Sequence, residues 1–348
     1  MTESRARTVG PKPQLMPSAE RHVVALGVLA LVLVATAMWS MTIGPTDISI
    51  TGIFTALTGF DGSREHLIVT TVRLPRMLAG LVAGSALAVS GAIMQAVTNN
   101  PLASPGLLGV NAGAAFAVVA TLTFLPDAPT GFHVWAAFAG AAMAATVVYL
   151  VGSMGIAGAT PVKLALAGAI VSAFVASLTS SVLIFDKTTL DAIRFWSIGS
   201  LAGRSLDNIA TVAPYVGAGL TLAIVFRRQI TTMSLGLSVA RTVGQNVGLW
   251  RTMAAIMVIL LAGGAVAVAG PIGFVGLVVP HVVRLLVGID YRWILPFCAV
   301  GGALLVIGSD AAARAVFPAR EIPVGVTMAL IGAPFFVYLA RYRVGGAR

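Results

Sequence analysis

Residues 71–98, TVRLPRMLAGLVAGSALAVSGAIMQAVT, carry the clearest indication of the fold of this chain. Arg73 and Arg76 stand directly before a run that carries no charged residue as far as Thr98. A run of this length matches the roughly 20 apolar residues that an α-helix needs to cross the ~30 Å hydrocarbon core of a bilayer. The pattern predicts a membrane-spanning helix that is preceded by two arginines.

The composition extends this interpretation to the whole chain. Of 348 residues, 58% are hydrophobic and 10% are charged, and the mean hydropathy is +0.96, whereas soluble domains carry about 25% charged residues. The apolar runs are continuous rather than alternating, which favours helices over a barrel. The single cysteine, Cys298, excludes a disulfide framework within the chain. The sequence therefore predicts an integral, helical membrane protein.

Successive apolar runs predict about ten spans in one all-α polytopic domain over residues 22–348. The first 21 residues are polar, basic and proline-containing, which indicates a flexible tail. The first run is long enough to be an uncleaved spanning helix. Nine spans stay open as an alternative, because only Gly270 and Pro271 separate the seventh run from the eighth. The runs cover residues 23–43, 73–97, 105–125, 132–152, 162–185, 208–226, 252–270, 272–289, 293–313 and 322–340.

The distribution of basic residues predicts the orientation. If both termini are cytoplasmic, most Lys and Arg residues fall on the inner side, as the positive-inside rule requires. Arg73, Arg76, Arg314 and Arg320 then lie on the outer face. Arginines at helix borders often snorkel to the interface, which is one explanation. The other is that they recognise an acidic surface of a protein partner.

Two short glycine motifs suggest an internal repeat. PGLLGV (105–110) and PIGFVGL (271–277) each carry two glycines three positions apart, and they follow the second and seventh spans. An odd number of spans between the copies gives them opposite orientations. This is typical of inverted-repeat transporters.

The longest inner segment is FRRQITTMSLGLSVARTVGQNVGLWR (226–251). Its small residues and glycines predict two short helices, one over Ser234–Thr242 and one from Gly244 onward. The segment is either an amphipathic linker on the membrane or a docking element for an intracellular partner.

The sequence gives little support for a nucleotide-binding or metal-binding site in this chain. No G-x-x-x-x-G-K-[ST] motif occurs, so the chain has no P-loop for ATP. The four histidines are dispersed and none lies four residues from another, so no metal site is expected. Hydroxyl residues in the fifth span either bond to helix carbonyls or line a pathway, among them Ser177, Thr179 and Ser180.

Five segments together resemble the permease subunits of bacterial ABC importers for ferric siderophores, haem and cobalamin. They extend over nearly the whole chain after the first helix, and the likeness is closest to ferric-siderophore permeases, including those for catecholate chelates. The segments are RLPRMLAGLVAGSALAVSGAIMQAVTNNPLASPGLLGVNAGA (73–114), RFWSIGSLAGRSL (194–206), SLGLSVARTVG (234–244), AGPIGFVGLVVPHVVRLLVGIDYRWILP (269–296) and EIPVGVTMALIGAPFFVYL (321–339).

The resemblance implies a type II importer permease fold of ten helices in the plasma (inner) membrane. It also implies a second permease subunit, identical or homologous, two cytoplasmic ATPases that bind ATP and Mg, and an extracytoplasmic siderophore-binding protein. The permease itself would be no enzyme and would bind no cofactor. A ferric siderophore would be imported by alternating access; a haem or cobalamin permease of the same family and an ion-coupled secondary transporter are the alternatives.

The resemblance assigns roles to particular residues. Arg73 and Arg76 in RLPR (73–76) and Arg314 in SDAAAR (309–314) match positions that accept glutamates of the binding protein, whereas Arg320 has no clear counterpart. The inner gate would lie at Thr160, Pro161 and Val162, with the fifth-span hydroxyls along the pathway. Coupling to the ATPases would use residues of the 227–251 loop: Ser234, Leu235, Gly236, Ala240, Arg241 and Gly244.

Overall fold

The computed structural model describes residues 19–155, 160–318 and 320–343. In these ranges the secondary structure consists of helices joined by short connections, with no strand, as predicted. The predicted tail over residues 1–21 lies outside the described residues, apart from Ala19, Glu20 and Arg21, which form the first turn of the first helix.

All ten predicted spans correspond to helices. In the described ranges, seven helices are long and apolar enough to cross a membrane, and three shorter apolar helices accompany them. The seventh and eighth predicted spans are separate helices with a break between them, and the number of spans, nine or ten, stays a prediction. In chain order the helices are α1 (Ala19–Thr42), α2 (Ile50–Thr58), α3 (Arg64–Thr98), α4 (Val110–Phe124), α5 (Thr130–Ser153), α6 (Pro161–Phe185), α7 (Lys187–Ile193), α8 (Leu206–Val225), α9 (Arg227–Ser234), α10 (Leu237–Thr242), α11 (Val247–Ala269), α12 (Val275–Val287), α13 (Tyr291–Val316) and α14 (Val324–Arg343).

Helix α3 begins earlier than the sequence predicts. Its first residue is Arg64, after an N-cap in which the Ser63 hydroxyl accepts the backbone N–H of His66 at 3.3 Å. A π-helical turn over Val69–Arg73 follows, and the N–H of Leu74 bonds to the carbonyl of Val69. This wider turn lets the helix continue into Pro75, whose ring would clash with an ordinary α-helical turn before it. The two arginines therefore lie inside the helix rather than before it.

Helix α3 is the central element of the bundle, and glycines allow its neighbours to approach closely. A Cβ built on Gly91 would lie 1.9 Å from the Gly276 carbonyl oxygen of α12, and one on Gly84 would lie 2.4 Å from the Gly302 oxygen of α13. Small residues at helix contacts are typical of membrane bundles, where close packing drives association. By contrast, the most apolar 18-residue stretches of α1 and α6 are each only 6% buried within the bundle.

The two glycine motifs lie at breaks that precede short helices. Gly109 has a left-handed backbone (φ +72°) just before α4, and Phe274 has one (φ +67°) just before α12. In the second motif the left-handed residue is thus not a glycine, while Gly276 packs against Gly91. The inverted repeat itself stays a prediction.

Two ends of the bundle carry the predicted functional residues. The arginine end holds Arg73, Arg76 and Arg314, and the loop end holds residues 226–251. The segment Leu74–Thr98 of α3 joins the two ends, and its 25 residues span about 37 Å at 1.5 Å per residue. Just after it, the Asn99 side chain donates to the Met233 carbonyl of α9 at 3.1 Å.

Candidate functional site

A buried carboxylate organises the arginine end. Asp310 lies in α13 and its side chain is 2% exposed. It accepts hydrogen bonds from two nitrogens of the Arg76 guanidinium, from Nη2 to Oδ1 at 2.8 Å and from Nε to Oδ2 at 2.9 Å. The Nε of Arg314, one turn further along α13, donates to Oδ2 at 3.0 Å. One carboxylate thus holds two arginines from different helices, and paired, bidentate geometry is what makes burial of such charges tolerable.

The other nitrogens of the arginines cap the end of α1. Arg314 donates to the Ser40 carbonyl at 3.0 Å and to the Ser40 hydroxyl at 2.8 Å, and it also bonds to the Ile43 carbonyl. Arg73 donates to the carbonyls of Met41 and Thr46. The last carbonyls of a helix have no partner within it and carry partial negative charge, so cations are favourable there. The arginines therefore tie α1 to α3 and α13.

The three arginines line one cavity of about 320 Å³, together with Arg320 and Glu321. We call it the arginine cavity. Four arginines and the carboxylates of Asp310 and Glu321 leave this region positive. However, Arg73 is only 6% and Arg76 only 8% exposed. A partner would reach these side chains through the cavity mouth rather than on a flat surface, a restriction that the sequence did not suggest.

Sequence reasoning missed Asp310 as a functional residue. The available signal was its position four residues before Arg314, because residues at this spacing face each other on a helix. Its pairing with Arg76 was not accessible to such reasoning, since 234 residues separate them.

The loop end differs in register from the prediction. Ser234 is the last residue of α9 and Leu235 follows it, so neither belongs to the predicted helix over Ser234–Thr242. Gly236, with φ +110°, lies in the turn between α9 and α10. Gly244, with φ +78°, lies in the next turn, between α10 and α11. No atom lies within 4 Å of a Cβ built on either glycine. These glycines are thus required by backbone conformation and not by packing.

The loop is anchored on one side and open on the other. Met233, Ala240 and Val247 form a small buried cluster beneath it. The Gln245 side chain donates to the Gln229 carbonyl at 3.2 Å, which holds α9 against the turn between α10 and α11. Apolar side chains and the exposed Arg241 remain on the open side, with Leu235 51%, Val239 41% and Val243 65% exposed. An exposed apolar surface on an ordered loop is typical of an interaction site.

The predicted gate lies at the start of α6. The Thr160 hydroxyl accepts the backbone N–H of Lys163 at 3.3 Å, which caps the helix that begins at Pro161. Val162 is 77% exposed, and the Lys163 ammonium donates to the Met154 carbonyl at 3.0 Å. These residues lie where α6 begins, and a role of Thr160, Pro161 and Val162 as an inner gate stays a prediction.

Two hydroxyls of the fifth predicted span, which is α6, bond to carbonyls of their own helix. Thr179 donates to the Val175 carbonyl at 2.8 Å, and Ser181 donates to the Ser177 carbonyl at 2.9 Å. Ser177 and Ser180 are exposed on the single chain. In the part of the chain that the structure describes, no group of three or more His, Cys, Asp or Glu side chains could hold a metal ion.

Comparisons with known proteins agree with this architecture. A model of the FecCD transport family matches residues 31–342. The chain is 45% identical to the Fe(3+)-citrate import system permease protein YfmD of Bacillus subtilis (strain 168), over 87% of this chain and 90% of that protein. It is 39% identical to the ferric enterobactin transport system permease protein FepD of Escherichia coli (strain K12), over 94% and 97% of the two chains.

A solved structure gives the same result for the fold. This chain superposes on a metal-chelate type ABC transporter in an inward-facing conformation with a TM-score of 0.78 at 28% identity, covering 92% of this chain and 99% of the other. The type II importer permease fold and the multi-pass membrane architecture predicted from the sequence are thereby confirmed. The matched family model and these relatives extend over nearly the whole chain, which is a member of the FecCD transport family.

Proposed function

We propose that this chain is the transmembrane permease subunit of an ATP-driven importer that moves a ferric siderophore into the cytoplasm. The observation that carries the proposal is the placement of two interaction surfaces at opposite ends of α3, the arginine cavity and the exposed loop. A permease without a nucleotide site must receive cargo at one side and a mechanical input at the other. Two ATPase subunits, separate from this chain, supply that input.

The arginine cavity is the docking site for the extracytoplasmic binding protein in this proposal. Its excess positive charge favours a partner with acidic side chains, and interfacial charges of this kind set orientation and association rate. A glutamate that enters the cavity would meet Arg73, Arg76 and Arg314 together. This face lies outside if both termini are cytoplasmic.

The loop over residues 227–251, which we call the coupling loop, is the docking site for the ATPases in this proposal. Its open side carries Leu235, Val239 and Val243, and its buried side is joined to α3 through Asn99 and Met233. Movement of an ATPase against this surface would therefore pull on the central helix. Alternating access follows if that motion opens the start of α6, where Thr160, Pro161 and Val162 form the inner gate and Ser177, Thr179 and Ser180 face the pathway.

The experiment that tests the proposal is uptake of iron-55 chelates into proteoliposomes. The permease is reconstituted with its co-purified ATPases and second permease subunit, binding protein is added outside, and ATP is trapped inside or omitted. We expect uptake that requires both binding protein and ATP. Uptake that follows a proton or sodium gradient without ATP would refute the proposal and support a secondary transporter.

Docking is tested by Arg314→Gln in the same system. Loss of one charge-assisted contact raises the binding-protein concentration for half-maximal uptake by roughly tenfold or more, and the effect shrinks at high salt. The matched control is Arg64→Gln, which removes an exposed arginine at the start of α3 that does not line the cavity. ATPase association should be unchanged in both variants. An unaltered concentration dependence for Arg314→Gln would reject the docking assignment.

A further inference from the structure

Arg204 is a cation at the arginine end that has no anionic partner among the residues that the structure describes. It lies in the connection between α7 and α8, and its Nε donates to the Ser200 carbonyl at 3.2 Å. Within residues 19–155, 160–318 and 320–343, no carboxylate lies within ion-pairing distance of its guanidinium group. Burial lowers the pKa of Arg204 to about 10, so the group stays protonated at neutral pH but is poorly solvated. An incoming anion would therefore be stabilised there.

Arg204 forms part of the wall between two cavities. The larger, of about 360 Å³, is lined by Arg204, Arg76, Trp196 and Glu321, among others. The smaller, of about 190 Å³, shares Arg204 and Trp196 and extends to His133 on α5. We call these two the Arg204 cavities. They continue from the arginine cavity, because Arg76 and Glu321 line both it and the larger Arg204 cavity.

The charges along this route are not equivalent. Arg76 already has an anionic partner, because two of its guanidinium nitrogens bond to Asp310, which it shares with Arg314. Glu321 is 76% exposed and lies 3.7 Å from Arg76, so it too is oriented toward that arginine. Arg204 therefore offers the positive charge in the larger cavity that is not already matched. A guanidinium beside an indole suits a ligand with planar, negatively charged oxygen donors, because its fork of N–H groups matches carboxylates and phenolates.

We propose that Arg204 contacts the cargo, binding a carboxylate or phenolate oxygen of a negatively charged ferric chelate as the chelate leaves the binding protein. This inference rests on the proposed function and narrows its substrate class to anionic chelates. Trp196 packs beside the bound group, and the volume of the larger cavity falls within the range of small-molecule sites. A neutral chelate gains nothing from Arg204.

The test uses the reconstituted complex with binding protein and internal ATP, and three iron-55 probes: ferric citrate, a ferric tris-catecholate and a neutral ferric tris-hydroxamate. The variants are Arg204→Gln, Arg204→Lys and, as matched control, Arg194→Gln. Arg194 lies in the same segment, is exposed and lines neither Arg204 cavity. Basal ATP hydrolysis and protection of the buried Cys298 thiol report whether each variant is folded and assembled.

We expect wild type to take up an anionic chelate and Arg204→Gln to lower its maximal uptake rate by roughly tenfold or more, as for loss of a hydrogen bond to a charged group. The binding-protein concentration for half-maximal uptake should not change, which separates this effect from docking. Arg204→Lys should retain part of the rate, and Arg194→Gln all of it.

Three outcomes overturn the inference and leave ATP-driven import in place. In the first, Arg204→Gln takes up the anionic chelate at the wild-type rate. In the second, the wild-type protein takes up only the neutral chelate. In the third, the uptake rate of Arg204→Gln falls together with basal ATP hydrolysis or with protection of Cys298. Failure of wild type to take up any of the chelates with ATP is distinct, because it removes the proposed function and the inference together.

Discussion

Replacement of Asp310 by asparagine should destabilise the arginine end, because it removes the charge that two buried arginines share. The two side chains have nearly the same shape, so the change tests electrostatics rather than packing. Arg314 keeps its bonds to Ser40 and Ile43. Arg76 keeps at most a hydrogen bond to the neutral amide oxygen of the new asparagine, and its remaining anionic partner in the described residues is Glu321, at 3.7 Å and largely exposed. The penalty therefore falls mainly on Arg76.

The expected magnitude follows from this asymmetry. Breaking a buried ion pair while one charge remains costs about 3–5 kcal/mol, because the remaining cation is neither solvated nor paired. At about 2 °C per kcal/mol for a large domain, the apparent melting temperature should fall by roughly 6–10 °C. In Arg76→Met/Asp310→Asn the unpaired cation is absent, so we expect at least half of the loss to be recovered.

Cys298 provides the assay. It is the only cysteine in the chain and is fully buried in α13, so a thiol-reactive fluorescent dye reports its exposure as the detergent-solubilised protein is heated. Asp127→Asn, which changes an exposed carboxylate without an ion pair in the described residues, is the matched control. A melting temperature of Asp310→Asn equal to that of the control would refute the reasoning, as would a double variant less stable than the single one.

Two further predictions concern glycines. Gly91→Ala places a Cβ 1.9 Å from the Gly276 oxygen, so α3 and α12 must separate. The free energy of unfolding should fall by about 1–3 kcal/mol or more, as followed by the dye assay. Gly27→Ala is the control and should have no such effect, because no atom lies within 4 Å of its Cβ. Gly236→Ala strains a backbone at φ +110° without a steric clash, so it should lower ATP-dependent uptake and the recovery of bound ATPase together; normal coupled uptake would contradict the role of this turn.

Much of the fold was predictable because apolar run length is a local property. Each of the ten predicted runs coincides with a helix, and the break at Gly270 and Pro271 was visible as a glycine followed by a proline. Boundaries were less accurate where backbone geometry overrides composition. The π turn over Val69–Arg73 extends α3 toward its N-terminus, and the positive φ of Gly236 shifts the loop helices.

The candidate site was only partly predictable. Arg73, Arg76 and Arg314 were identified from the resemblance of their segments to a family. Their burial, the sharing of Asp310 and the capping of α1 were not, because they depend on side chains brought together from three helices. Arg204 was not identified from the sequence for the same reason. Only the folded connection between α7 and α8 shows that no carboxylate among the described residues forms an ion pair with it.

The amino-acid sequence is sufficient to predict a bundle of membrane-spanning helices with a polar loop between the sixth and seventh spans, because hydrophobic length and charge placement act within each segment. Which charges are paired is visible only in the folded chain. Asp310 has one arginine partner, Arg314, four residues away on its own helix, but the other, Arg76, comes from 234 positions away. The energy of a buried charge depends on such neighbours and not on its position in the chain.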